Sequence, residues 1–287
     1  MKWHFRTLGM GSVNYRHAAR RLAREASNTG LFETCLGLNE RDFRIADPDF
    51  WRDHKNVLHA RVPGYGWWSW KPYFILNSLL SIPEGDGLLY LDAGSVIKSD
   101  GESINKIKEF MALTTVSSMM GSNTDFFPEE MYTARDLLDY FKLTDQQRRE
   151  SQYCAAIVFI INDSKGRAFV REWCHLICVD EHKWLIPLDT KVANHPEFKH
   201  HMHDQSTFSC LMKKYCGLSV ETGNRDADGA IRLARHRYGF KFQESRAYIK
   251  YFYRGLYLIS RAHLAIQRRL FKGSLTLRPQ SHELQIS

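Results

Sequence analysis

Apolar residues along this 287-residue chain fall into two rhythms, and each marks a different kind of element. Continuous apolar runs at residues 88–91, ending in the carboxylate of Asp92, and at 154–161 read as strands buried on both faces. Apolar positions spaced three and four apart mark 15–27, 103–111, 164–178 and 205–215 as helices. A strand at 3–8 runs into the loop Gly9-Met10-Gly11-Ser12, and Asn28-Thr29-Gly30 stops the helix that follows. Shorter strands are read at 32–36, 57–60 and 115–119, and Ile82-Pro83-Glu84-Gly85-Asp86-Gly87 is a strong turn. Strands alternating with helices predict an α/β fold, a mixed and mostly parallel sheet flanked by helices. No internal repeat or low-complexity linker interrupts the chain before residue 230.

Composition sharpens this reading. With 44% hydrophobic residues the chain is not a disordered one. Its longest apolar run, 153–161, is far short of the ~20 residues a membrane-spanning helix needs. The opening Met1-Lys2-Trp3-His4-Phe5-Arg6 lacks the apolar core of a signal peptide. A soluble or peripheral protein is expected. Six cysteines occur without C-x-x-C pairing, which reads as free thiols in a reducing cytosol. The formal charge of +8 is unevenly placed. Residues 231–287 hold 12 basic and 2 acidic side chains, leaving 28 basic and 30 acidic on the first 230. That division predicts a body over 1–230 and a basic tail over 231–287, and argues against a nucleic-acid surface spread over the body.

Three segments carry candidate chemistry. Asp92 closes an apolar strand and is followed by Ala93-Gly94-Ser95, small residues that let a ligand approach the backbone. Ligands of open α/β sheets bind beyond the carboxyl ends of strands, so Asp92 suits a divalent metal or a sugar hydroxyl; a turn or N-cap Asp is the plainer alternative. The run His200-His201-Met202-His203-Asp204-Gln205-Ser206 places polar side chains at a helix N-terminus, where the dipole favours anions. Imidazole and carboxylate there suit a metal such as Mn²⁺, or simply an N-cap beside a solvated loop. The loop Gly64-Tyr65-Gly66-Trp67-Trp68-Ser69-Trp70-Lys71-Pro72 packs three tryptophans into four positions. Their faces suit a nucleobase or sugar, or pin a helix to the sheet, while Lys71 suits phosphate.

Taken together and in order, this aromatic loop, Gly85-Asp86 with Leu89-Tyr90-Leu91-Asp92-Ala93-Gly94, and His203-Asp204-Gln205-Ser206 resemble a family of bacterial GT-A-type glycosyltransferases of surface-polysaccharide synthesis. Thr7-Leu8-Gly9, Tyr15, Arg21 and Thr133-Ala134-Arg135-Asp136 add to the resemblance, which spans roughly residues 3–215. It implies a GT-A-like, Rossmann-like sheet, and transfer of a hexosyl group from a nucleotide-diphosphate donor, a UDP-sugar first. The acceptor would be a hydroxyl of a glycan or lipid-linked molecule. It implies that Asp92 and His203 hold Mn²⁺ or Mg²⁺ at the diphosphate, although Gly94 stands where the second acid of an Asp-x-Asp motif would be. Asp204 is implied as the carboxylate nearest the reacting carbon. Thr7, Tyr15, Arg21, Trp70, Lys71, Asp92, Gly94 and Gln205 are implied on the donor side. Two readings of another class stay open: a non-catalytic nucleic-acid-binding protein working through the tail, and a metal hydrolase built on the histidine cluster.

The tail has a direction. At ~100° per residue, Arg246, Lys250, Arg254, Arg261, Arg268 and Lys272 fall within about 80° of a helix circumference. Ile249, Phe252, Leu256, Ile259, Ile266 and Leu270 take a broad arc elsewhere, the pattern of a helix lying in a membrane interface or, more plainly, of one packed on the body with a solvated basic face; the membrane is the favoured reading. It places the enzyme in the cytoplasm, peripheral on the inner face of the cell membrane. Liposome sedimentation checks it: the full chain is expected to bind anionic vesicles more strongly than a chain ending at residue 240.

Overall fold

The computed structural model describes residues 1–58, 62–178, 182–186, 192–215, 218–220 and 229–233. The chain divides into two units, Met1–Glu244 and Ser245–Ser287, and all described residues belong to the first. Most of the basic tail, and Cys216, lie outside the described residues.

In chain order the elements are β1 (Trp3–Gly9), α1 (Val13–Asn28), β2 (Thr34–Asn39), α2 (Glu40–Ala46), α3 (Pro48–His54), α4 (Gly64–Trp67), α5 (Trp70–Leu80), β3 (Gly87–Leu91) and β4 (Val96–Ile97). They continue as α6 (Gly101–Ser117), β5 (Met119–Pro128), α7 (Glu129–Tyr132), α8 (Arg135–Tyr140), α9 (Asp145–Arg149), β6 (Ser151–Ile161), α10 (Ser164–Cys178), α11 (Asp204–Lys214), β7 (Leu218–Val220) and β8 (Ile231–Arg232). Six strands form one sheet in the order β2-β1-β3-β6-β5-β7, while β4 and β8 pair separately. Strands β2, β1 and β3 run parallel, β6 is antiparallel to both β3 and β5, and β7 is parallel to β5. One strand of six is therefore reversed, and the sheet is mixed and mostly parallel, as the alternation of patterns predicts.

Period-two alternation in β3 builds a core on each face. Leu88 and Tyr90 join Phe74, Ile75 and Trp173 on the side of α5 and α10. Leu89 and Leu91 join Phe5, Ile107, Phe110 and Phe159 on the side of α1 and α6. Burying both faces is what makes β3 and β6 near-continuous apolar runs rather than alternating ones. The same parity turns Asp92, the residue after β3, toward the α5 side.

Two predicted boundaries are corrected. The strand read at 115–119 begins only at Met119, because α6 runs on through Ser117. Thr114 and Thr115 are accommodated there by donating their hydroxyls back to the carbonyls of Phe110 and Ala112, at 2.7 Å each. The strand read at 57–60 is absent at its described end: Val57 and Leu58 donate their N–H groups back to His54 O, closing the end of α3 as a turn. Five cysteines, Cys35, Cys154, Cys174, Cys178 and Cys210, are free thiols, and burial pushes every one above the usual thiol range.

Candidate functional site

The carboxyl end of β3 is where the sequence motifs meet. The Asp92 N–H donates to Ala156 O of β6 at 3.0 Å, and Ser95 N–H closes a turn onto Asp92 O at 2.9 Å. Tyr90, two residues earlier on the same face and fully buried, donates its hydroxyl to Asp92 Oδ1 at 2.7 Å. Lys71, in the first turn of α5, reaches the same carboxylate, with Nζ 3.3 Å from Asp92 Oδ1. From the opposite side comes Asp204, the first residue of α11, whose Oδ2 lies 2.7 Å from Lys71 Nζ. Ala155 O, at 3.3 Å, is the third acceptor around the ammonium. Lys71 thus pairs with two carboxylates and donates to one backbone carbonyl, and motifs more than a hundred residues apart converge on it.

Burial sets the electrostatics. The side chains of Lys71 and Asp204 are 3% and 6% exposed, whereas Asp92 keeps 30% and so opens toward solvent. Burial works against the Lys71 charge, but the Asp204 and Asp92 carboxylates outweigh it and hold the ammonium above its usual range. Burial pushes Asp204 up to about 6 against the pull of Lys71, and the neighbouring Asp92 pushes the same way. Asp204 Oδ2 has the ammonium as its close ionic neighbour and no aligned hydrogen bond. The cluster contains two carboxylates and one ammonium, with one carboxylate sheltered and the other facing solvent.

The aromatic loop reaches this geometry through an unusual backbone. Gly64, Tyr65, Gly66, Trp67 and Trp68 have φ values of 61°, 57°, 106°, 51° and 59°, so α4 is a left-handed turn. Such a conformation costs ~1–2 kcal/mol for each residue other than glycine, and contacts must hold it. Trp67 N–H donates to Pro63 O at 2.7 Å, and Trp70 Nε1 donates to Gly64 O at 2.9 Å. Tyr65 donates its hydroxyl to Glu40 Oε1 at 3.0 Å and lays its ring where a Cβ on Gly11 would sit. The Trp68 ring covers Gly64 and faces His203, centroids 6.2 Å apart and planes at 29°. Buried Trp70 therefore pins the turn, half-buried Trp68 lies over His203 beside the site, and half-buried Trp67 packs against the core.

The remaining site residues from the sequence are placed as follows. Thr7 lies within β1 with its hydroxyl buried and, among the described residues, without a hydrogen-bond partner. Tyr15 is in the first turn of α1, half-buried against Ala18, Ala19 and Ala93. Arg21 is buried, donating to Ala93 O at 3.1 Å and Ser95 O at 2.8 Å, so it grips the loop around Gly94 from within. Gln205 donates its side-chain N–H to Gln152 Oε1 at 2.7 Å.

His201 and His203 have different settings. His201 is saturated: Nε2 donates to Trp184 O at 2.7 Å, Nδ1 accepts from Ala134 N–H at 3.1 Å, and burial pushes its pKa down to about 3. His203 donates from Nδ1 to Leu185 O at 2.8 Å, which leaves Nε2 as the acceptor, and burial lowers its pKa as well. That tautomer would suit a ligand, yet among the described residues no three His, Cys, Asp or Glu side chains come together to hold a metal. Asp92 Oδ1 is already shared by Lys71 and Tyr90. The described residues do not by themselves fit a metal centre at Asp92 and His203.

A buried network behind α11 has no signal in the sequence. Glu129, with no exposed surface, accepts from Thr133 Oγ1 at 2.6 Å, Gln152 Nε2 at 3.1 Å, Ser209 Oγ at 2.5 Å and Lys213 Nζ at 2.7 Å. Gln152 in turn holds Gln205, so the first turn of α11, with Asp204 on it, is anchored to β6 and α7. The partners lie far apart in the chain, and each taken singly reads as an ordinary surface residue.

No protein-family model matches the chain, and no curated protein matches it in sequence. Among solved structures it is similar to mouse xyloside xylosyltransferase 1 in its apo form, at 10% identity over 77% of this chain and 85% of that one, with a TM-score of 0.41. It is also similar to the galactosyltransferase LgtC in complex with donor and acceptor sugar analogues, at 13% identity over 72% of this chain and 70% of that one, with a TM-score of 0.36.

Two outcomes are expected. Lys71→Met, which strands two carboxylates, lowers stability by about 3–5 kcal/mol in chemical denaturation, and Lys71→Met combined with Asp204→Leu recovers most of it. The folded pKa of His201 lies below the ordinary 6.5, so the unfolded chain binds the extra proton and stability falls as pH drops below 6.5. Melting temperatures between pH 6.5 and about 5, where ordinary carboxylates stay charged, are expected to fall less in His201→Gln than in the wild type.

Proposed function

We propose that the protein is a glycosyltransferase that moves a sugar from a nucleotide-diphosphate donor, a UDP-sugar first, to a hydroxyl of a glycan or lipid-linked acceptor in surface-polysaccharide synthesis. The observation that carries this reading is the convergence of Asp92 and Asp204 on the buried Lys71 ammonium at the carboxyl end of β3, the edge where open α/β sheets bind ligands. A nucleic-acid reading gains nothing from this cluster, whose net charge is negative.

Each residue takes a role from its surroundings. Asp92, half-exposed beside Gly94, presents a carboxylate to the donor sugar where no side chain blocks the approach. Asp204, sheltered and kept charged by Lys71, stands at the reacting carbon, where it deprotonates the acceptor hydroxyl or stabilises positive charge developing on the sugar. These are the inverting and the retaining course respectively. Arg21 and Trp70 serve the donor side through the loops they fasten, Arg21 at Ala93 and Ser95, Trp70 at Gly64. Thr7, Tyr15 and Gln205 complete that side. The basic tail brings the enzyme to the inner face of the cell membrane, where a lipid-linked acceptor is presented.

A thermal-shift screen against UDP, GDP, CMP and their sugars, each with and without Mn²⁺, tests the reading. At least one nucleotide is expected to stabilise the chain, by ~2.7 kcal/mol at a hundred times its Kd. With the donor found, Asp92→Ala and Asp204→Ala are each expected to cut turnover at least about a hundredfold while the protein stays folded. If no nucleotide shifts the melt under either condition, the transferase reading falls.

A further inference from the structure

Helix α1 carries its exposed charge on one side. At ~100° per residue, Val13, Arg16, His17, Arg20, Arg24 and Ser27 share an arc of about 100°, and all six are exposed. The buried side chains Ala18, Ala19, Leu22, Ala23 and Ala26 take the adjoining and opposite arc against the sheet. The helix has one acid, Glu25, which is turned inward and paired with buried Arg21 at 2.8 Å. The outer face therefore presents three guanidinium groups and no carboxylate, and among the described residues Arg16, Arg20 and Arg24 have no ionic partner.

The stripe stands on a rigid base. A Cβ on Gly9 would lie 2.4 Å from Tyr15 O, and one on Gly37 would lie 2.3 Å from Ala19 O. Both strands thus need glycine to let the α1 backbone lie directly on them. Ser12 caps the helix, accepting from Tyr15 N–H at 3.4 Å. Arginines mounted this way meet a charged surface without first having to order the backbone beneath them.

We propose that the outer face of α1 docks on the surface of an anionic phospholipid bilayer. Guanidinium forks match phosphate oxygens, and each basic residue near such a surface raises partitioning about fivefold. The face has no Phe, Tyr or Trp ring on which bases would stack, which sets it apart from a single-stranded nucleic-acid groove. Val13, 58% exposed at the start of the stripe, adds an apolar side chain for the headgroup region. This contact belongs to the body of the protein. It needs neither the basic tail nor the transferase reading.

Sedimentation of the full chain with vesicles of 70:30 phosphatidylcholine to phosphatidylserine tests the proposal, with pure phosphatidylcholine as the uncharged control. The wild type is expected to bind the anionic vesicles and to release in high salt. R16A/R20A/R24A is expected to bind at least about tenfold more weakly, with an unchanged melting temperature because all three positions are exposed. R16K/R20K/R24K is expected to retain most of the binding, which also guards against a folding defect in the alanine variant. K106A/K108A, two exposed lysines on α6, is expected to bind as the wild type does. Equal vesicle binding by R16A/R20A/R24A and wild type overturns the proposal. So does a wild type that ignores anionic vesicles, or a loss in R16A/R20A/R24A seen with a single-stranded oligonucleotide and not with vesicles.

Discussion

The site depends on one cation. Lys71 Nζ sits where a strand end, a helix start and a backbone carbonyl meet, and removing it would leave two carboxylates facing each other with little water to screen them. Burying an ion pair is costly by itself, because desolvation consumes much of the attraction. The arrangement is stable because the ammonium lies between two carboxylates and donates to a backbone carbonyl, and because Asp92 keeps one edge in solvent. That asymmetry divides the labour: a sheltered acid whose proton affinity is tuned by burial, and an open acid able to meet a ligand.

The elements around Lys71 are arranged to hold it there. Immediately before it, the left-handed run from Gly64 to Trp68 aims the first turn of α5 at the sheet, and Tyr65, Trp68 and Trp70 bind that run to the loop after β1, to His203 and to itself. Behind Asp204, the Glu129–Gln152–Gln205 network fixes the start of α11 against β6. Arg21 fixes the loop after Asp92. Both carboxylates around the ammonium are thus held by separate sets of buried polar contacts, so the geometry of the cluster is fixed without a ligand.

Much of the fold was legible in the sequence because apolar periodicity is a local property. The helix read at 164–178 coincides with α10, and the run read at 154–161 lies within β6. The failures share a cause. Thr115 and Val116 are β-branched and read as strand, but the back-bonded Thr115 hydroxyl and the contact of α6 with the sheet keep them helical. Val57 and Leu58 read as strand but are turned back by hydrogen bonds to His54. In both places a neighbour already fixed in space overrode a weak local preference.

For the site, the sequence alone determined the chemistry on offer: an acid after an apolar strand, small residues beside it, a second acid at a helix start, and a lysine among tryptophans. It also determined where the charge lies, because composition needs no coordinates. Only the tertiary structure decided which of these groups meet. Lys71 and Asp204 are 133 positions apart, and their 2.7 Å contact depends on β3, β6 and α5 packing in one order. The same packing gave His201 a structural task, since its two ring nitrogens are claimed by backbone groups that no spacing rule connects to it. Periodicity is written along the chain, whereas convergence is set by the order in which strands lie side by side.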